Sequence, residues 1–133
     1  PDAIPKSHTD KSGDESQRRS SVAFIIAVGI GFHNLGEGLA IGAAYNVGEI
    51  ALGTFLVVGF IIQNITEGLG IIAPVLRDRP TIGRLAVMGL IGGAPAILGA
   101  WIGGYAPSPF LAVLFLAIGA GMMLLWVTGL LIK

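Results

Sequence analysis

The sequence predicts an all-α integral membrane protein with four transmembrane helices arranged as two hairpins. The chain is 53% hydrophobic and 12% charged, with a mean hydropathy of +0.81, whereas about 25% of the residues of a soluble domain are charged. Residues 85–132 contain no Asp, Glu, Lys or Arg. We therefore expect most of the chain to lie in a lipid bilayer.

Four apolar stretches carry this prediction, at about residues 21–45, 49–76, 84–105 and 108–132. At about 1.5 Å per residue, each is long enough as a helix to cross a hydrocarbon layer of about 30 Å. Transmembrane β-strands are about 10 residues long and alternate polar with apolar side chains, which these stretches do not. Short turns at 46–48 and 106–109 and a loop at 77–80 would join the helices.

The start of the chain has a different composition. Residues 1–20 are rich in Ser, Asp, Lys and Pro and hold few bulky apolar side chains, which predicts a disordered linker ahead of a transmembrane domain at 21–133. The chain begins with Pro, and its start lacks the features of a secretory signal. We expect it to be a fragment of a longer protein.

The basic residues predict the orientation of the helices. If the four spans alternate in direction, the two hairpin turns fall on one side of the membrane and hold no basic residue. The basic residues next to the spans fall on the other side: Arg18, Arg19, Arg77, Arg79, Arg84 and Lys133. By the positive-inside rule, the amino-terminal linker, the 77–84 loop and the carboxyl end face the cytoplasm.

Glycine and proline predict how the helices pack and bend. Gly38 and Gly42, and likewise Gly99 and Gly103, are four residues apart, so each pair presents a small helix face that allows close packing. Proline residues at 74 and 95 are expected to bend or end their helices.

Two acidic residues, Glu37 and Glu67, lie deep within the first two stretches, which contain no Lys or Arg. A carboxylate near the bilayer centre costs a few kcal/mol or more, so such a residue is a candidate for function. Each belongs to a repeated pattern in which His or Gln is followed by Asn, then by any two residues, and then by Glu-Gly-Leu. The polar residues of the two copies are His33, Asn34 and Glu37, and Gln63, Asn64 and Glu67. At helical spacing each trio shares one face, and an antiparallel hairpin places both faces at a similar depth.

These six side chains suit a divalent metal cation, because together they offer one imidazole, two carboxylates and three amide oxygens. Cysteine is absent, which excludes thiolate ligands and disulfides. One alternative is a structural bundle in which these groups bond between helices and the glutamates are protonated. Another is a membrane metalloenzyme, although the chain lacks a His-Glu-x-x-His motif and has one histidine in a span.

The paired motifs resemble the ZIP (Zrt/Irt-like) family of divalent metal transporters, most closely its bacterial, GufA-like branch. The motifs are His33-Asn34-Leu35-Gly36-Glu37-Gly38 and Gln63-Asn64-Ile65-Thr66-Glu67-Gly68. They are similar to the signatures of the fourth and fifth of eight helices, which in that family form a binuclear metal site. The four stretches would then match the fourth to seventh helices of an eight-helix bundle.

The resemblance implies a function and a ligand set. It assigns His33, Glu37, Gln63 and Glu67 to one metal and Asn34 and Asn64 to its neighbour, with the two glutamates bridging both. The implied function is transport of zinc, or of Cd, Fe or Mn, toward the cytoplasm through a bacterial inner membrane, with no enzymatic reaction. The expected partners are the metal ions, lipid and the missing helices. A homodimer is compatible with the sequence, and nucleic acid is not an expected partner.

One departure from the family concerns the third stretch. Many relatives carry a Glu just before a Pro in the sixth helix, where this chain reads Gly93-Ala94-Pro95. One carboxylate ligand that the resemblance would supply is therefore absent at Ala94.

Overall fold

The computed structural model describes the backbone of residues 7–105 and 108–131, and the side chains of residues 12–105, 108–121 and 124. The described chain forms four α-helices and one 3₁₀ helix, which follows α2: α1 (Ser7–Asn46), α2 (Ile50–Ile72), 3₁₀ (Ala73–Asp78), α3 (Ile82–Gly104) and α4 (Pro109–Leu131). The predicted all-α fold is confirmed. Lys133 and part of the predicted 106–109 turn lie outside the described residues.

Three helical segments are long and apolar enough to cross a membrane, namely Ser12–Asn46, Ile50–Asp78 and Ile82–Gly104. α4 is 23 residues long, and within it the segment Pro109–Gly121 is a shorter apolar helix by the same measure. Lengths and compositions of this kind identify an integral membrane protein.

The amino-terminal part of α1 differs from the prediction. Residues 7–20, which we expected to be disordered, belong to the 40-residue helix α1. Extending an existing helix avoids the cost of nucleation, and Arg19 supports the extension through an ion pair with Glu15, with 3.5 Å between Nη1 and Oε2. Composition alone therefore predicted the polarity of this segment but not its helical backbone.

The turns and prolines largely follow the prediction. Gly48 connects α1 to α2 with a φ of 84°, a left-handed conformation that favours glycine. α2 ends at Ile72, and Pro74 lies in the first turn of the 3₁₀ helix. Pro95, by contrast, remains inside α3.

Helix α1 is central because it contacts each of the other three α-helices. Its contact with α3 is made by the glycine pairs for which the sequence predicted close packing. A Cβ atom added to Gly38 or Gly42 would overlap the carbonyl oxygen of Ala96 or Ala100. Gly99 and Gly103 of α3 approach the backbone of α1 in the same way. The two helices are therefore in backbone contact.

The end of the bundle that holds the 77–80 loop is closed by an apolar core and one ion pair. Ala23, Ala27, Ile30, Ile71, Val75 and Met88 form the buried core. Beyond it, Arg19 donates from Nη2 to Asp78 Oδ1 at 2.6 Å and from Nε to Oδ2 at 3.0 Å. This pair places the start of α1 and the 77–80 loop at the same end of the molecule.

Candidate metal centre

The candidate site lies between α1 and α2, in the carboxyl-terminal half of each helix. His33 and Glu37 are one helical turn apart on α1, and Gln63 and Glu67 are one turn apart on α2, so each pair projects from one helix face. His33, Glu37 and Glu67 are 4%, 2% and 3% exposed. The repeated spacing in the sequence thus brings polar groups from two helices together in a buried place.

Three potential ligands meet around one point. His33 Nε2 lies 3.0 Å from Glu37 Oε1 and 3.6 Å from Glu67 Oε1. A ligand atom from each of the three residues lies within 4.8 Å of the other two. One imidazole nitrogen and two carboxylate oxygens at this spacing can bind a single divalent cation of the borderline type, such as Zn²⁺.

The side-chain amide of Gln63 is centred among these three groups. Its Nε2 donates to Glu37 Oε1 at 2.8 Å and to Glu67 Oε1 at 3.0 Å, and it lies 2.9 Å from His33 Nε2. An –NH₂ group has partially positive hydrogens, which is why two carboxylates accept from it. The same amide carries an oxygen that could coordinate a cation after the group rotates.

Three buried oxygen atoms of the site have no hydrogen-bond partner among the described residues. They are Glu37 Oε2, Glu67 Oε2 and Asn34 Oδ1. A buried acceptor without a partner costs about 1 to 3 kcal/mol, and two carboxylates in one apolar region also oppose each other. A divalent cation would relieve both costs, since it accepts oxygen lone pairs and supplies positive charge.

The two asparagines form a second group beside the first. Asn34 is 1% exposed, and its Nδ2 donates to Asn64 Oδ1 at 2.9 Å and to the main-chain oxygen of Gly92 in α3 at 3.0 Å. Asn64 lies on the exposed side of α2. The structure therefore brings His33, Glu37 and Glu67 together around Gln63. The remaining two of the six residues, Asn34 and Asn64, pair with each other.

Sequence reasoning missed Gly92. A main-chain carbonyl belongs to every residue, so no residue type marks it as a ligand or acceptor. Pro95 gives no direct signal either, because the N–H that it lacks would bond to Ile91 and not to Gly92 in a regular helix.

The backbone contact between α1 and α3 positions the α1 half of the site. Gly99 of α3 faces the carbonyl oxygen of Leu35 and the amide of Leu39, on either side of Glu37. On another side of α1, Gly119 of α4 packs close to Gly36. Because these contacts involve backbone atoms on neighbouring helices, they hold the turn that carries Glu37 in a fixed place.

The model of a family described as the ZIP zinc transporter matches residues 1–131. No curated protein and no solved structure matches the chain.

Proposed function

The chain belongs to the ZIP zinc transporter family, and from that premise we propose that it moves divalent metal cations across a membrane through the site between α1 and α2. The buried group of His33, Glu37 and Glu67 supports this proposal most strongly. Two carboxylates and an imidazole in the interior of a membrane protein form a costly arrangement that a cation would make favourable.

In the proposed binding step, the cation displaces the –NH₂ group of Gln63. The amide then rotates and presents its oxygen, so that the ion gains a neutral ligand in addition to His33, Glu37 and Glu67. Amide oxygens bind Zn²⁺ less strongly than thiolates or imidazoles do. A site of this composition can therefore release its ion, which transport requires.

Asn34 and Asn64 would supply the neighbouring position of a binuclear site, with Glu37 and Glu67 bridging the two ions. The hydrogen bond between the two asparagines supports their assignment to one position. Zinc is the proposed principal substrate, with Cd²⁺, Fe²⁺ and Mn²⁺ as further candidates of similar ligand preference.

We further propose that transport is directed toward the cytoplasm, with the amino-terminal segment and the 77–84 loop on the cytoplasmic side of a bacterial inner membrane. The contact between Arg19 and Asp78 supports a shared side for these two segments, and their arginines support the cytoplasm as that side. The direction itself follows the resemblance to the GufA-like branch.

The exposed apolar side chains support additional covering elements. Phe55, Ile82 and Trp101 are 75%, 85% and 68% exposed. We propose that lipid covers part of this surface and that further transmembrane helices of the same protein, matching the missing members of an eight-helix bundle, cover the rest. A second copy of the chain is an alternative partner for this exposed apolar surface.

The test is uptake of radioactive zinc by cells that express the protein. We expect the double variant Glu37→Gln, Glu67→Gln to lose uptake, because the substitution keeps the size of both side chains and removes both negative charges. Glu49→Gln is the matched control, since Glu49 is an exposed acid at the start of α2. Uptake by the double variant at the rate of the wild type would exclude this site as the transport site and favour a structural role.

A further inference from the structure

We propose that α3 contributes to the cation site through the main-chain carbonyl of Gly92. In the absence of metal, the side-chain amide of Asn34 occupies the position between Gly92 and Asn64 that a cation would take. This inference rests on the proposed function, because it concerns a second cation beside the one bound by His33. It adds a ligand from a third helix and assigns Asn34 two alternative orientations.

Two carbonyl oxygens from two different helices converge on one –NH₂ group. Asn64 Oδ1 of α2 and Gly92 O of α3 lie 2.9 Å and 3.0 Å from Asn34 Nδ2. Both hydrogens of the amide are therefore used. Gln63 Nε2 is placed in the same way between Glu37 and Glu67. In both positions a neutral group with positive hydrogens occupies the point on which oxygen atoms converge.

The oxygen of the Asn34 amide is the reason to expect a second orientation. Asn34 Oδ1 is buried and has no hydrogen-bond partner among the described residues. If the amide turned over, three oxygens would face one another at this point, from Asn34, Asn64 and Gly92. Such a group is repulsive when empty and becomes favourable when a cation binds between the oxygens.

The local structure of α3 brings the Gly92 carbonyl close to α1. Gly92 has no side chain to shield its backbone, and a Cβ atom added there would meet Ile71 Cδ1 at 3.0 Å. Pro95 lacks the N–H group that would bond to the carbonyl of Ile91, one residue before Gly92, and its ring disfavours regular helix geometry in that turn. The same turn packs closely on α1, where Gly31 faces the carbonyl oxygen of Ile91.

The ligand set predicts the kind of cation that binds. Three neutral oxygens and no nitrogen favour a harder cation, and weaker binding, than the position at His33. The charge of this second ion would be balanced by Glu37 and Glu67, each of which has one buried oxygen without a partner among the described residues.

The sequence offers a direct experiment on the Gly92 carbonyl. Only two Gly-Gly pairs occur in the chain, Gly92-Gly93 and Gly103-Gly104. If the chain is labelled with glycine that carries ¹³C in its carbonyl and ¹⁵N in its amide, only these pairs give a directly bonded ¹³C–¹⁵N peptide signal. The variant Gly93→Ala removes the Gly92-Gly93 signal, so the signal that remains is assigned to Gly103-Gly104. The substitution should be tolerated, because a Cβ atom at Gly93 meets nothing within 4 Å.

We expect the purified chain in lipid bilayers to bind two Zn²⁺ ions, with the Gly92-Gly93 signal shifting in the second step. The Gly103-Gly104 signal is the internal control and should not move. In Asn34→Leu the second ion should be lost while the first is retained. In Asn34→Asp the second ion should bind more tightly, by about tenfold or more, because a carboxylate replaces a neutral ligand.

The outcomes separate this inference from the proposed function. Two bound ions without a shift of the Gly92-Gly93 signal would overturn the role of α3. One bound ion that is lost in Glu37→Gln, Glu67→Gln would overturn the second position at Asn34 and Asn64, and it would leave intact the proposed transport through the position at His33. No bound ion would contradict both. An unchanged second step in Asn34→Leu would overturn the role of Asn34.

Discussion

The two interfaces that α1 makes with α2 and α3 are built from opposite kinds of contact. Against α3, glycines bring backbone to backbone, with no space for even a methyl group at Gly38 or Gly99. Against α2, the helices meet through long polar side chains, and three buried oxygens beside this interface lack partners among the described residues. The first interface is complete as it stands, whereas we propose that a cation completes the second.

This difference indicates that the two interfaces have different roles. A glycine interface has few alternative arrangements, because neither helix has side chains that can move aside. The polar interface can rearrange, because the amides of Gln63 and Asn34 rotate without moving the backbone. The rigid pair of α1 and α3 would therefore serve as a scaffold, and α2 would respond to the metal.

The largest effect is expected from breaking the rigid interface. In Gly38→Ala the new methyl group would overlap the carbonyl oxygen of Ala96, so α1 and α3 must separate. Overpacking of this kind costs about 1 to 3 kcal/mol or more. The free energy of unfolding in mixed micelles measures the loss. The matched control is Gly89→Ala on α3, where a Cβ meets nothing within 4 Å and stability should rise by about 0.5 to 1 kcal/mol.

If both variants had the same stability, the close contact between α1 and α3 would not contribute to folding. The interface between α1 and α3 would then not be the rigid interface of the bundle.

The second effect concerns the response of the polar interface to metal. Zn²⁺ at a hundredfold excess over its Kd should stabilise the wild-type chain by about 2.7 kcal/mol. The variant Glu37→Gln, Glu67→Gln should be at least as stable as the wild type without metal, because two buried charges are removed, and should gain nothing from Zn²⁺. Thermal unfolding with and without the ion measures both. An equal gain in stability from Zn²⁺ in both proteins would show that the ion binds away from Glu37 and Glu67.

A smaller effect is expected at the end of the bundle that holds the 77–80 loop. Arg19 and Asp78 form a two-point ion pair whose side chains are 31% and 15% exposed. Removing it in Asp78→Asn should lower stability only slightly, and less at high salt, because the pair is partly screened by solvent. Asp14→Asn is the control, since Asp14 is exposed on the same end of α1. A salt-independent difference would argue against an electrostatic contribution.

The smallest effect tests a polar contact between α1 and α2 that lies away from the candidate site. The hydroxyls of Tyr45 and Thr54 are 3.3 Å apart at an exposed position. Tyr45→Phe should lower stability by about 0.5 kcal/mol and leave the gain from Zn²⁺ unchanged. A reduced gain would show that the metal response extends along the whole interface.

Much of this architecture could be predicted from the sequence because repetition and periodicity encode it. The spacing of His33 and Glu37, echoed at Gln63 and Glu67, placed four side chains on two facing helix surfaces. The glycine pairs predicted faces for close helix packing, although not that α1 and α3 would pack on each other through them. Each of these features depends on residue type and on position within a helix, which a sequence states directly.

The remaining features depend on tertiary contacts or on the backbone. The helical start of α1 follows from extension of a transmembrane helix, which the polar composition of residues 7–20 does not reveal. The role of Gly92 depends on a main-chain oxygen, and the pairing of Arg19 with Asp78 joins residues 59 positions apart. None of these has a local signature.

The central claim is that a divalent cation binds at His33 between α1 and α2. X-ray absorption of the chain with one equivalent of Zn²⁺ tests it most directly, because imidazole bound to zinc gives a distinct outer-shell signal. The chain has two histidines, His8 and His33, which provide a matched pair of variants. We predict one imidazole in a shell of nitrogen and oxygen ligands, retained in His8→Ala and lost in His33→Ala. A zinc shell without imidazole, or one that survives in His33→Ala, would contradict the claim.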